Sequence, residues 1–527
     1  MQVKLRIPVT FWRKAVQIAF LLLFLFLFRK TDYAGSDEIP YAVNLFFRWD
    51  PLVAASAMLA AKSFLVVLLP ATAVVVLTVL LGRFFCGWVC PLGTVFDLAH
   101  RIIPPRPVGS GNYYPWVKYV LLGLILTGAL FGLPLVGYFD PFSILVRGMA
   151  VSLDPAFNLV VTPVFDWLYR NAPMWVTAVS EPVYTFLRTY ILPFHQTFFT
   201  LTLLSLAVLL AVLALERLER RFWCRNVCPL GAMLGLLARL SPLNWQPGVA
   251  CHARGCHACS DICRTGAIND TDGRISSEAC VLCLDCVESC PRSVISFKFK
   301  KPAADPAPLD ISRRVFLGTL ATGVFLPAFF RVRAGQKSPS PTLLRPPGAL
   351  AEEKFLGQCV RCGECMKVCI GNALHPTLLE AGAEGMFTPR LIPRLGYCEY
   401  NCTLCGQVCP TGAIRKLTLE EKHQTKMGRV WFDKNRCLPH ARGIPCLVCE
   451  EHCPTPDKAI KLREVTVLDQ QGNALMLQQP YVVDSLCIGC GICENKCPLP
   501  GEAAVHVTRE GESRSPNADL LVTTSYY

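Results

Sequence analysis

No Cys-x-x-Cys-His occurs in this chain, and none of its nine histidines falls inside a strongly apolar run. The first absence excludes c-type haem attachment. The second leaves no axial ligand for a b-type haem within a membrane helix. No glycine-rich dinucleotide fingerprint stands out, so neither NAD nor FAD is implied. Charged residues make up only 17% of the sequence. Basic residues outnumber acidic ones, 52 to 39, but no basic face with interleaved aromatics occurs, which argues against a nucleic-acid binder. Many cations instead edge apolar runs: Arg13, Lys14, Arg83, Lys118, Arg217, Arg220 and Arg221. There they read as topology signals and headgroup contacts.

Cysteine and apolar sequence are abundant. Among 527 residues, 52% are hydrophobic and 28 are cysteine; the mean hydropathy is +0.38. The apolar runs crowd the first 215 residues and the cysteines dominate the remainder, the pattern of a membrane domain followed by soluble modules. Every cysteine falls into a ligand pattern: six quartets, plus two Cys-x-x-x-Cys-Pro motifs.

The first apolar run, residues 15–28, is short for a span of about 20 residues. Phe11 and Trp12 extend it, Arg13, Lys14, Arg29 and Lys30 can snorkel at its ends, and no Ala-x-Ala site follows. It is therefore expected to be an anchor. Further spans are expected at residues 64–81, 117–138 and 197–215. Lys4 and Arg6, then Arg83, Arg101 and Arg106, then Arg217, Arg220 and Arg221 mark the cytoplasmic side.

The spans look duplicated. Arg83-Phe84-Phe85-Cys86-Gly87-Trp88-Val89-Cys90-Pro91-Leu92-Gly93 closes the second, and Arg221-Phe222-Trp223-Cys224-Arg225-Asn226-Val227-Cys228-Pro229-Leu230-Gly231 closes the fourth. Asp50-Pro51 and Asp140-Pro141 occupy the two expected outer connections. Such a repeat implies a pseudo-two-fold axis along the membrane normal. Cys86 with Cys90, and Cys224 with Cys228, have the spacing of pairs on one helix face. These four thiols suit a redox pair, a metal or a further cluster.

Cys280, Cys283, Cys286 and Cys290, followed by Pro291, match the bacterial ferredoxin run; Cys251, Cys256, Cys259 and Cys263 form a variant of it. Because the fourth cysteine of such a run ligates the other cluster, one set is Cys251, Cys256, Cys259 and Cys290. The other is Cys280, Cys283, Cys286 and Cys263. Four more quartets follow: Cys359, Cys362, Cys365, Cys369; Cys398, Cys402, Cys405, Cys409; Cys437, Cys446, Cys449, Cys453; and Cys487, Cys490, Cys493, Cys497. Sequential pairing joins first with second and third with fourth; nested pairing joins first with fourth and second with third. Both remain open. Disulfides poorly explain triplets close enough to share one centre, and zinc favours two spaced pairs. The expectation is six 4Fe–4S clusters, with a seventh centre at the Cys-x-x-x-Cys-Pro cysteines.

Between the modules, Ser312-Arg313-Arg314-Val315-Phe316-Leu317 precedes an apolar run ending at Phe330. This twin-arginine pattern is an address for exporting folded, cofactor-loaded protein. The run is expected to remain as a fifth anchor, with Pro-rich linkers at residues 301–310 and 337–347. The expected fold is a membrane α-helical bundle of four helices plus that anchor, followed by α+β dicluster ferredoxin modules. Its domains are residues 1–235 in the membrane, 242–300 cytoplasmic, 311–335 as signal and anchor, and 350–515 extracytoplasmic.

Residues 1–300 resemble the membrane quinol-dehydrogenase subunit of periplasmic nitrate reductase systems. Residues 312–527, with Arg345-Pro346-Pro347-Gly348-Ala349-Leu350 and Gly396-Tyr397-Cys398-Glu399-Tyr400-Asn401-Cys402, are similar to its exported ferredoxin-type partner. The departure is fusion into one polypeptide. The resemblance implies quinol oxidation in the inner membrane and electron delivery to an extracytoplasmic acceptor, a cytochrome c or a molybdenum reductase. Asp50, Asp140 and His195 on the outer side, and Asp97 and His100 inside, are candidate proton acceptors. The alternative is a maturation factor supplying electrons or metal to another enzyme's cofactor.

Overall fold

A computed structural model describes residues 8–103, 115–193, 195–247, 256, 258–268, 275–291, 293–299, 312–332, 340–468 and 474–514. Cys251, the linker at 301–310 and residues 337–339 of the second linker lie outside them. The chain divides into two units. The first comprises Met1–Lys30, Val43–Gly148 and Leu204–Ala328; the second comprises Thr31–Ala42, Met149–Leu203 and Phe329–Tyr527.

Within the first unit, the helix Val9–Lys30 is long and apolar enough to cross a membrane. The other expected spans differ from the sequence reading. They form helices at Ala71–Leu81, Val117–Leu130 and Thr202–Ala214, of 11, 14 and 13 residues. At about 1.5 Å rise per residue these reach roughly 16–21 Å, short of a bilayer core of about 30 Å. Local sequence ends them early. Pro70 precedes the first, and Gly82 closes it at φ 89°. Gly132 at φ 78° follows the second. A second helix long and apolar enough to cross a membrane is Pro141–Asn171, a continuous 31 residues between the expected third and fourth spans. Helix Met174–Tyr190 follows it.

The duplication has a structural counterpart. Helix Pro91–Ile102, after the first Cys-x-x-x-Cys-Pro, packs on Val9–Lys30, and helix Pro229–Ala238, after the second, packs on Val117–Leu130. Asp50 caps the helix that begins at Pro51, and Asp140 caps the one that begins at Pro141. Phe142 lies at the centre of the unit, its ring against Phe46, Phe47 and Phe85. Helix Arg313–Val332 packs on Val117–Leu130 where side chains are small. A Cβ on Gly323 would collide with Thr127, and one on Gly123 would meet Thr319 at 2.9 Å.

Both units contain the small α+β pattern of ferredoxin modules. Strands Leu243–Pro247 and Ile295–Phe299 pair antiparallel in the first. In the second, Leu374–Pro376 pairs with Pro389–Leu391, Arg429–Phe432 with Val505–Thr508, and Ile460–Leu468 with Ala474–Val482. The third cysteine of every quartet lies in a helix of one turn: Ala258–Asp261, Asp285–Glu288, Glu364–Lys367, Leu404–Gln407, Val448–Glu451 and Ile492–Lys496. The six quartets thus share one local build. The second unit's core interleaves these cysteines with Phe355, Met366, Ile414, Val430, Ile460 and Val505.

Candidate functional site

The Cys-x-x-x-Cys-Pro pairs do not lie on one helix face. Cys86 lies in the short helix Phe84–Trp88, while Cys90 has extended backbone and stands ahead of helix Pro91–Ile102. Cys224 lies in the π-turn Trp223–Val227, and Cys228 is again extended, before Pro229–Ala238. Each proline starts a helix rather than disturbing one, because its missing N–H is no loss at the first helical position. Across the repeat the four thiols are close enough to interact electrostatically.

The two halves exchange arginines. Arg221 donates to the carbonyls of Cys86 at 3.2 Å and Gly93 at 3.1 Å. Arg83 points its guanidinium at Cys86 Sγ, 3.9 Å away, and a Cβ on Gly231 would stand 2.8 Å from it. Gly231 therefore leaves room for the arginine of the other half. This corrects the sequence reading of Arg13, Arg83, Arg221 and Lys118 as headgroup contacts, since all four are buried. Arg13 and Arg221 join an internal network, with Arg13 to Asp285 at 3.0 Å, Arg264 to Asp285 at 2.5 Å, Arg264 to Asp97 at 2.7 Å, and Arg221 to Asp97 at 2.8 Å. It ties the first ferredoxin module to the N-terminal helix and the second cysteine motif.

In that module Cys263 lies among Cys280, Cys283 and Cys286, and accepts the Ala267 N–H at 3.2 Å. Cys256, Cys259 and Cys290 are described, but their set includes Cys251, which is not.

The second unit brings its quartets together sequentially. Cys409 joins Cys359, Cys362 and Cys365 around one cavity, and Cys369 lies with Cys398, Cys402 and Cys405. Cys453 joins Cys487, Cys490 and Cys493 around a second cavity, and Cys497 lies with Cys437, Cys446 and Cys449. Cys398 N–H donates to Cys490 O at 2.9 Å, so the second set adjoins the fourth. The four sets form a file: first, second, fourth, third.

These cysteines fit iron–sulfur clusters. None of the described cysteines forms a disulfide. Among the described residues, no three His, Cys, Asp or Glu groups close on a point as ligands of a single ion do. The thiols ring cavities instead, which suits a cubane with four iron corners better than tetrahedral zinc. Backbone amides aim at sulfur: Ala373 at Cys369, Ile414 at Cys409 and Ala504 at Cys497, at 3.3–3.4 Å. Burial pushes Cys402 and Cys490 up to about 12 as free thiols. Bound iron would supply the positive charge that their thiolate forms need.

The Arg345-to-Leu350 segment closes the first set. Gly348 O accepts from Arg415 N–H at 2.9 Å, and Leu350 N–H donates to Ala413 at 3.1 Å, just beyond Cys409. Gly348 has φ 78°, and a Cβ there would stand 2.7 Å from Arg415 O. Arg345 is buried between Glu352, at 2.5 Å, and the carbonyl of Pro389, at 2.7 Å.

The proton-acceptor candidates separate. Asp50 accepts Leu52 and Val53 N–H at 2.7 and 3.1 Å, and Asp140 accepts Ser143 N–H at 2.7 Å. Both are fully buried with their carboxyl groups against each other, so neither is an open outer-side acceptor. Asp97 is committed to two arginines; burial opposes its ionisation, but Arg221 and Arg264 outweigh that and hold it below the usual carboxylate range. His100 lies 3.4 Å from Glu216, its pKa lowered by burial and by Arg220. His195 lines a small cavity with Asp32, Asp154, Lys367 and Cys369. The sequence reading missed a cavity of about 350 Å³ beside Cys224, lined by Arg83, Trp116, Lys118, Tyr119 and Glu278. Its walls come from segments nearly 200 residues apart, and no local motif marks them.

Paired cysteine quartets on ferredoxin-type scaffolds define an iron–sulfur electron-transfer protein. A 4Fe-4S binding domain model matches residues 63–107 and 198–247, covering both Cys-x-x-x-Cys-Pro motifs, and a 4Fe-4S dicluster domain model matches 358–413. The methylamine utilization ferredoxin-type protein MauM of Methylorubrum extorquens is 37% identical over 223 residues, 40% of this chain and 96% of that protein. The chain belongs to this ferredoxin-type family. The ferredoxin-type protein NapG of Escherichia coli is 38% identical over 121 residues, 23% of this chain and 51% of that protein. A putative electron transport protein of the same organism, YccM, is 27% identical over 284 residues, 54% of this chain and 65% of that protein. No solved structure matches the chain.

Proposed function

We propose that this protein oxidises quinol to quinone at the inner membrane, releasing the two protons to solvent and passing the two electrons, one at a time, through six 4Fe–4S clusters to an extracytoplasmic acceptor. The cysteine sets described above, completed by Cys251, are the ligands. The observation that carries the reading is the continuous file of four cysteine sets, because a file of adjoining centres suits conduction. The twin-arginine pattern, with the resemblance of residues 312–527 to an exported ferredoxin-type subunit, favours a periplasmic reductase or a cytochrome c as acceptor.

Contacts within each unit fit the expected division of the chain. Asp37, from the first expected outer connection, accepts from Thr403 N–H and Oγ1, both at 2.7 Å, and Lys367 pairs with Asp154 at 3.0 Å. Thr31–Ala42 and Met149–Leu203, parts of the expected outer connections, thus share a unit with the C-terminal module. The N-terminal helix and the Cys-Pro segments share theirs with the first ferredoxin module. Exposed Leu22, Phe26, Val76, Leu80 and Leu210 favour a lipid-facing surface on the first unit. The long helices Val9–Lys30 and Pro141–Asn171 favour membrane association as well.

The cavity beside Cys224 is our candidate for the quinol headgroup. Trp116 and Tyr119 offer ring surfaces, while Lys118, Arg83 and Glu278 offer hydrogen-bonding groups to its oxygens. When bound, the clusters accept electrons singly; the chain's own part is to seat the ring and to exclude water from the cysteine sets. Anaerobic addition of a quinol analogue to the purified protein tests the reading. Bleaching of cluster absorbance is expected, and clusters that stay oxidised would argue against it.

The four Cys-x-x-x-Cys-Pro thiols favour a second reading as well. Reduced thiols beside two buried arginines suit a soft metal ion, as a maturation factor would need. In that case deletion would leave a client enzyme short of metal while electron transfer continued.

A further inference from the structure

Lys422 is the unusual charge in the second unit. A capping box starts its helix, Leu419–Gln424, with Thr418 Oγ1 and Glu421 exchanging hydrogen bonds with the backbone. That fixes the helix phase so that Glu420 and Glu421 face outward while Lys422 is buried. Its ammonium donates to the Glu399 carbonyl oxygen and to Cys398 Sγ. Cys402 and Cys405 complete the negative side of its surroundings, and no carboxylate is among its main partners.

Among the described residues, the other three sets lack such an unbalanced cation. In the first, Arg361 and Arg345 act on Cys359, Arg361 countered by buried Glu364 near Cys362 and Arg345 by its ion pair with Glu352. In the fourth, Lys426 and Asp484 oppose one another near Cys487. In the third, no charged side chain ranks among the influences on Cys437 or Cys449. Glu399 does act on Cys398, but less than Lys422 does.

Reduction of a cluster adds one negative charge, and a cation buried against its sulfur ligands stabilises the added electron where the local dielectric is low. Cys398 also carries the backbone bond to Cys490 that joins the two dicluster pairs. We propose that Lys422 gives the cluster held by Cys398, Cys402, Cys405 and Cys369 the highest reduction potential of the four, so that electrons collect at the junction of the file. The inference rests on cluster occupancy of these cysteines and is independent of whether quinol is the donor.

The test is an EPR-monitored redox titration of the full-length protein, with iron counted in each sample. In the wild type, the first of the four clusters to be reduced is the one whose signal changes in Cys398→Ser. In Lys422→Met the midpoint of that cluster falls, while the others keep theirs and the iron content is unchanged. Lys426→Met leaves this cluster's midpoint where it was. The proposal is overturned if all four midpoints persist in Lys422→Met. It is equally overturned if the first-reduced cluster in the wild type belongs to another set, an outcome readable even if Lys422→Met loses iron.

Discussion

Cys398 donates its backbone N–H to the carbonyl oxygen of Cys490 at 2.9 Å, one of the hydrogen bonds that join two ferredoxin-type pairs. The two cysteines belong to different dicluster pairs, 92 positions apart in sequence. Their contact makes the second and fourth sets neighbours and leaves the first and third at the ends of the file.

Ligand pairing makes the first prediction. Cys369→Ser should perturb the signal of the cluster shared with Cys398, Cys402 and Cys405, not that of Cys359, Cys362 and Cys365. Cys409→Ser should do the reverse. EPR of the two variants checks this; a perturbation following sequence order would contradict the geometry.

Arg345 makes the second. Arg345→Ala leaves buried Glu352 with Arg514 alone and removes the donor to Pro389 O. Breaking a buried pair costs on the order of 3 kcal/mol. The midpoint of denaturant unfolding should fall, and the first cluster should be lost fastest on dilution because the segment packs beyond Cys409.

His375 makes the third. Its ring is buried edge-on against Phe199, and burial lowers its pKa from 6.5 to about 4. The unfolded chain therefore binds a proton that the folded chain refuses between those values, so stability rises with pH. Acidification from pH 6.5 towards 4 should remove on the order of 3 kcal/mol. His375→Phe should flatten that part of the pH–stability curve relative to wild type.

The exchanged arginines make the fourth. Gly231→Ala places a methyl group where Arg83 lies, so Arg83 should leave Cys86. Alkylation of Cys86 under anaerobic conditions should then change in rate, while the C-terminal cluster signals stay unaltered. Equal rates in variant and wild type would count against the packing described.

The spacing of the cysteines was legible as ligand chemistry because each triplet sits in one short loop and one helical turn. Their pairing was not, because it depends on how Cys369 and Cys409 cross between modules. The pairs Cys86–Cys90 and Cys224–Cys228 misled by their helical spacing, since the proline after each begins a new helix. Arg13, Arg83 and Arg221 resembled membrane-edge cations, and only partners distant in sequence, Asp285, the Glu278 carbonyl and Asp97, reveal them as internal. Lys422 sits in a polar stretch, Glu420 to Gln424, that reads as a solvated helix. Its burial follows from the capping phase and from packing on Cys398, neither of which hydropathy reports.

The most direct test of the account is anaerobic reduction of the full-length protein, in lipid vesicles, by a quinol supplied to the membrane. The account predicts that the EPR signals assigned to the Cys398 and Cys490 sets grow in proportion to quinol oxidised, and that Trp116→Ala or Tyr119→Ala slows this without changing iron content. Reduction by dithionite but not by quinol would contradict it.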